Sequence, residues 1–135
     1  MAQKTFHDDN AVKVLASNSS SNITFAGTKV FSTAERVVYL FVAHASINLT
    51  VFKVQIASDA AGTGAADAGT TITSATAGQM QTIEITPGIL ETAKQYVGPV
   101  VTVAAGTYTL LEIKKRLRNA TPTQDATYPT AVFNQ

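Results

Sequence analysis

Hydrophobic positions along the chain recur with a period of two in short runs, and Gly, Pro, Asn, Ser and Thr separate those runs. This is the pattern of β-strands joined by turns. Residues 11–16 alternate Val12, Val14 and Ala16 against Lys13 and Leu15. Ser17 to Asn22 then predicts a polar turn, and Ile23-Thr24-Phe25-Ala26 a second modest strand. Glu35 to Ser46 carries two interleaved apolar sets, Val37, Tyr39, Phe41, Ala43 and Val38, Leu40, Val42, so it predicts a strand covered on both faces, central or packed against a neighbour. Ser46-Ile47-Asn48 is short enough for a hairpin into 48–58. There Phe52, Val54 and Ile56 share one face, with Val51, Lys53, Gln55 and Ala57 largely on the other.

Ser58 to Gly69 contains three glycines and no large side chain, which predicts an exposed, mobile loop. Strand signals resume at Thr70 to Ser74 and at Gln79 to Thr86, where Ile83 and Ile85 oppose Thr82, Glu84 and Thr86; Pro87-Gly88 stops that run. Ile89 to Tyr96 is the one candidate for a helical turn. Val97 to Ala104 reads as a strand whose Pro99 has no N–H for a ladder, placing it at an edge, a bulge or the strand's start. Thr107 to Leu117 is the last strand, with Thr107, Thr109, Leu111 and Ile113 against Tyr108, Leu110 and Glu112. About eight strands in one domain predict an all-β fold, an antiparallel sandwich of jelly-roll type with one short helical turn. The expected organisation is an N-terminal arm over 1–10, a sandwich over 11–118 and a C-terminal arm over 119–135.

Composition narrows the options. A chain of 135 residues allows one ordinary domain, and 45% apolar with 14% charged residues is enough for a core. The formal net charge of +1 argues against nucleic acid as the partner. No cysteine is present, so disulfides, thiolate metal sites and cysteine nucleophiles are excluded. The longest aliphatic and aromatic run, Val37 to Ala43, is far short of the roughly 20 residues a membrane helix needs. The polar first ten residues lack the apolar stretch of a secretory signal, so synthesis in a cytoplasm is expected. The sequons at Asn18, Asn22, Asn48 and Asn119 carry little weight in so Thr- and Ser-rich a chain.

Candidate chemistry is sparse. His7-Asp8-Asp9 offers donor atoms without a second ligand cluster, so no metal and no cofactor are expected. His44 sits within the apolar run and reads as a rim imidazole hydrogen-bonded to a neighbour. No Gly-x-Ser-x-Gly framework accompanies it, so no enzyme activity is expected. Asp59, Asp67, Glu35, Glu84, Glu91 and Glu112 are dispersed and read as solubilising surface charges rather than a paired-carboxylate site. Lys114, Lys115, Arg116 and Arg118 place four of the ten basic residues within five positions. Such a cluster can meet nucleic acid or a protein partner; strand alternation divides it between two faces and no aromatic platform accompanies it, so a protein partner or a solvated edge that discourages aggregation is expected ahead of nucleic acid. Phe6 in the first ten residues, and Tyr128, Val132 and Phe133 in the proline-containing tail, are apolar anchors that a solvated segment does not need.

The order of segments resembles a known family. Asn48-Leu49-Thr50-Val51-Phe52-Lys53-Val54-Gln55-Ile56-Ala57-Ser58-Asp59, a Gly/Thr-rich loop, Gln81-Thr82-Ile83-Glu84-Ile85 and Gln95-Tyr96-Val97-Gly98-Pro99-Val100-Val101-Thr102-Val103 follow one strong apolar strand. This arrangement, over residues 35–113, resembles the small jelly-roll decoration (cement) proteins of tailed-bacteriophage capsids. Two departures stand out: Gly98 occupies a position where arginine is more often found, and Lys114 to Arg118 with the long tail replace an abrupt end.

The resemblance implies a structural virion protein on the capsid exterior, commonly a homotrimer, that bridges neighbouring major capsid proteins and stabilises the assembled shell. Phe6, Tyr128, Val132 and Phe133, with the basic cluster, are then the expected partner contacts. A head-fibre or tail component and a carbohydrate-binding adhesion module use the same sandwich, although the absence of Trp weighs against a glycan reader.

Overall fold

Runs rich in Val, Ile, Thr, Phe and Tyr fit a pleated surface because their branched or flat side chains pack well across strands. The computed structural model describes residues 10–29, 35–45, 47–85 and 93–116. Its first four strands are β1 (Asn10–Ser19), β2 (Thr28–Lys29), β3 (Glu35–Ala43) and β4 (Asn48–Ala57). The next four are β5 (Ala66–Ile72), β6 (Met80–Ile85), β7 (Tyr96–Ala105) and β8 (Tyr108–Arg116). They form two four-stranded antiparallel sheets, ordered β1-β8-β3-β6 and β2-β7-β4-β5. Every consecutive pair except β4–β5 crosses from one sheet to the other, which is the double-sheet jelly roll.

Several local expectations are corrected by this topology. Ser46-Ile47-Asn48 makes no hairpin, because β3 and β4 belong to different sheets. The strand expected over 23–26 shrinks to a single bridge, Ile23 to Val101, followed by the two-residue β2. The small-residue segment is partly strand: β5 begins at Ala66, and Ala68 is buried. The helical turn over 89–96 lies mostly outside the described residues, and Tyr96 already belongs to β7. Strand β1 begins at Asn10, one residue inside the expected arm.

The interior is filled from alternate positions of both sheets. Val37, Tyr39, Phe41 and Ala43 of β3 meet Leu49, Phe52, Val54 and Ile56 of β4, with Ile83, Ile85, Val97, Val101, Tyr108 and Leu110 around them. Phe41 stacks on Phe52 at a centroid distance of 5.2 Å and on Tyr108 at 5.1 Å, so one ring ties β3 to the facing sheet and to β8. In β1 a register shift between Val14 and Ala16 breaks the expected single face. Val12 and Val14 lie opposite Ile113 and Leu111, on the side away from Tyr108 and Leu110, where Val12 is nonetheless fully buried; Ala16 lies opposite the core residue Leu110.

Pro99 sits in an inner strand, and the backbone explains why it is tolerated. Val101 exchanges both hydrogen bonds with Ile23, so by alternation the Pro99 nitrogen points the same way, into the gap between that bridge and β2. No ladder bond is lost there. Gly98 points to the outer face beneath the Phe25 ring. A Cβ at Gly98 would lie 3.0 Å from that ring and 3.0 Å from the Ala26 carbonyl oxygen. The same ring leaves only 3.0 Å to a Cβ at Gly62, whose φ of +95° independently calls for glycine.

An arginine at position 98 therefore has no space in this chain. Gly98→Ala is expected to cost about 1–3 kcal/mol through overpacking, and Gly98→Arg more. Urea denaturation checks this, with Phe25→Ala in the Gly98→Ala background recovering part of the loss. Equal stability of Gly98→Ala and the parent would show that Phe25 does not rest on this glycine.

Candidate functional site

The basic cluster is divided as strand alternation predicts. Lys115 is exposed on the outer face of β8, opposite Arg36 of β3. Lys114 is on the inner side, half-buried, with its Nζ 3.8 Å from Glu112 Oε1. Arg116 ends β8 opposite Glu35. Phe6, Arg118, Tyr128, Val132 and Phe133 lie outside the described residues.

Glu112 corrects the reading of a surface charge: it is 5% exposed, because Tyr108, Leu110 and Glu112 are the inward set of β8. The Tyr39 hydroxyl donates to Glu112 Oε2 at 2.8 Å, and the Val97 carbonyl lies 3.4 Å from the same hydroxyl. A tyrosine, a glutamate and a lysine thus close one end of the apolar interior as a bonded polar group, which is how a buried charge is tolerated. The clue in the sequence is Glu112 at a two-residue interval from Leu110 and Tyr108.

Burial, reinforced by the Glu112 charge and the hydrogen bond to it, holds the Tyr39 phenol well above the ordinary value of 10.0. Burial also raises Tyr108, against a lowering hydrogen bond from Ser19. Both groups bind protons more tightly folded than unfolded. Their stabilisation is present in full below about pH 10 and is lost as pH rises through the folded values. Urea midpoints measured from pH 8 to pH 11.5 should hold and then fall, the fall starting near the pKa of free tyrosine. A flat profile through that range would show that neither phenol resists ionisation.

The β4–β5 connection is ordered by its own bonds, against the expectation of a mobile loop. Asp59 Oδ1 accepts from the Ala61 and Thr63 amides at 3.0 Å each, and Oδ2 accepts from the Thr63 hydroxyl. Those Thr63 bonds hold the Asp59 carboxyl below its usual range. Asp67 is in β5, where Gln55 and then Lys53 lower its pKa. The Gln55 amide donates to it at 2.8 Å, and Lys53 Nζ lies 3.0 Å from Oδ1. Both aspartates serve exposed polar bonding rather than a paired-acid cleft.

His44 is a part-buried rim residue as expected, its Nε2 2.8 Å from Thr109 Oγ1, and that hydroxyl accepts from the Asn18 amide at 3.1 Å. Among the described residues no group of three His, Asp or Glu side chains is placed to hold a metal, and no helix is long and apolar enough to cross a membrane.

The two outer faces of the sandwich differ in chemistry. The β2-β7-β4-β5 face carries the Lys53-Asp67-Gln55 group and Thr102, with Val51 and Val100 beside them. The β1-β8-β3-β6 face carries rows of aliphatic side chains. In register, Val14, Leu111, Leu40 and Thr82 form one row, and Val12, Ile113, Val38 and Glu84 the next. Thr109, Val42 and Met80 form a third, with Met80 66% exposed. Arg36, paired to Glu84 at 3.0 Å, and Lys115 border one end. The second apolar set of β3 faces this way, and no strand among the described residues lies over it. Val12 in these rows is fully buried and the remaining aliphatic residues are half-buried, which leaves Met80 as the exposed large apolar side chain among the described residues. No family model, curated protein or solved structure matches the chain.

Proposed function

We propose that this chain is a structural virion protein that binds the outside of an assembled phage capsid and cements neighbouring major capsid proteins. The observation that carries the reading is the jelly roll whose one outer face is aliphatic and whose candidate chemistry is confined to structural bonds. The resemblance over residues 35–113 supports the same class and implies copies grouped in threes on the capsid exterior. Lys115 at the rim of the aliphatic face, with Phe6, Tyr128, Val132 and Phe133 from the terminal segments, supplies the expected shell contacts.

A clamp of this kind stabilises by binding the assembled shell in preference to free subunits, so its effect follows mass action. Co-sedimentation with assembled heads and with dispersed major capsid protein of the same virus tests it. Saturable binding to heads alone, with a raised head-disruption temperature, is the expected result. Equal binding to dispersed subunits, or to neither, would overturn it. Glycan binding without capsids would replace it with an adhesion module.

A further inference from the structure

We infer that the free edge of β6 is a docking site for an extended polypeptide, and that its occupant is an arm of the shell subunit, added to the β1-β8-β3-β6 sheet as a further strand. The inference rests on the capsid reading for the identity of the partner and goes beyond it in naming the surface and the mode of binding. It starts from where the backbone of β6 points. The Ala43 amide donates to the Gln79 carbonyl at 2.9 Å, and the Ala43 carbonyl accepts from the Gly78 amide at 2.9 Å, so both polar groups of Ala43 are aimed at β6. The next residue, His44, donates its amide to Thr107 on the other side. β3 pairs with β6 from Val37 and Ile85 to Val42 and Met80 without a register shift, so Phe41, Tyr39 and Val37 exchange bonds with Gln81, Ile83 and Ile85. By alternation, the amides and carbonyls of Met80, Thr82 and Glu84 point away from β3. β6 ends its sheet, and no strand among the described residues pairs with that side.

The other three edges are blunted. β1 carries two register shifts, and its Asn10 and Val12 already have partners. β2 is two residues long, and its Lys29 is likewise engaged. β5 is interrupted opposite Phe52 and Val54, where Gly69 adopts a φ of +80°, and its Asp67 is bonded to Gln55 and Lys53. Bulges, short length and bonded charges are the means by which an edge is kept from pairing with another chain. β6 has none of them. It is six regular residues without Lys, Pro or Gly, and its single charge, Glu84, is neutralised by Arg36 at 3.0 Å. Thr82 and Glu84 are exposed, as is Met80, so water reaches this border.

The edge specifies the chemistry of what binds it. Outward amides and carbonyls recurring about every 7 Å match the backbone of another strand. In strand addition the main chain supplies affinity and alternate side chains supply selectivity. Side chains of the added strand on the outer face lie beside Met80, Thr82 and Glu84, which suits one apolar and two polar residues. Those on the inner side approach β5, where a Cβ at Gly69 would lie 3.7 Å from Ile83 Cγ2, so they must be small. Ordering a loose arm costs about 1–2 kcal/mol per residue in backbone entropy, and an arm already fixed by its neighbours in a shell has met that cost. Strand addition therefore favours the assembled shell over dispersed subunits, as the clamp requires.

The test uses heads of the same virus as the probe. Thr82→Pro removes an outward amide and sets a ring on the edge while taking no bond from β3, whereas Thr82→Ala keeps that amide. In co-sedimentation, Thr82→Pro should weaken binding to heads at least about tenfold, and Thr82→Ala should stay within about threefold of the parent. Urea midpoints show whether both variants fold. Deuterium exchange of the parent, free and on heads, gives a reading that needs no variant, with amides resolved by NMR after release. The amides of Met80, Thr82 and Glu84 should exchange quickly in the free protein and slowly on heads, while Gln81, Ile83 and Ile85 are protected in both. Fast exchange at those three positions on heads would overturn the inference, as would a folded Thr82→Pro that binds like the parent or an equal loss in Thr82→Ala. Any of these results, with parent binding to heads intact, leaves the capsid reading standing. A parent that binds no heads removes that reading, and this inference with it.

Discussion

Phe41→Ala is expected to destabilise the domain by about 3–5 kcal/mol, the range for deleting a large buried aromatic and leaving a cavity. Phe41 is fully buried and central, stacked on Phe52 of the facing sheet and on Tyr108 of its own. Its removal takes contacts from both layers at once, and a closed sandwich cannot bring two sheets together to refill one ring. A domain of this size is typically stable by only about 5–15 kcal/mol, so the loss is a large share of the total. Equilibrium urea unfolding of the parent and the variant measures it, with Phe41→Leu as a less severe companion. A cost under about 1 kcal/mol for the alanine variant would mean that the ring is not the joint between the sheets.

The second large effect concerns Tyr39 and Glu112. Tyr39→Phe removes the hydroxyl that donates to a buried carboxylate and is expected to cost about 1.5–3 kcal/mol, the range for hydrogen bonds to charged groups. Glu112→Leu leaves the Tyr39 hydroxyl without this acceptor and frees the half-buried Lys114 from its partner, with a similar expected cost. Carrying both substitutions should cost less than the sum of the two, because the carboxylate and its donor leave together. The quantity to measure is the coupling in a double-mutant cycle from urea unfolding at pH 7. Strict additivity would show that the two side chains do not share a bond of consequence, and a more stable double variant would show that the polar group is kept for something other than stability.

The strands were largely legible in the residue pattern because period two is a local signal. Phe52, Val54 and Ile56 on one face of β4, and Ile83 and Ile85 on one face of β6, follow from spacing alone. The absence of thiol chemistry follows from composition. Local alternation separates two faces without saying which of them is inside. In β3 both sets are apolar, and only the packing of β4 against it makes Val37, Tyr39, Phe41 and Ala43 the interior, leaving Val38, Leu40 and Val42 outward.

Long-range pairing decided the rest. β1 lies beside β8, nearly the whole chain away, and its register shift puts Val12 and Val14 on the side away from Tyr108 and Leu110, where Val12 is still buried. The inward face of β8 carries Glu112 into the interior because Tyr39, on a strand far away in sequence, places a donor 2.8 Å from it. Gly98 can be seen as a glycine in the sequence, but the ring that fills its space comes from Phe25 on a separate segment. The aliphatic outer face is assembled from three strands that meet only through the jelly-roll strand order. Side-chain type sets what each position tolerates in water or in the interior, and the closure of distant strands against one another determines which of the two it meets.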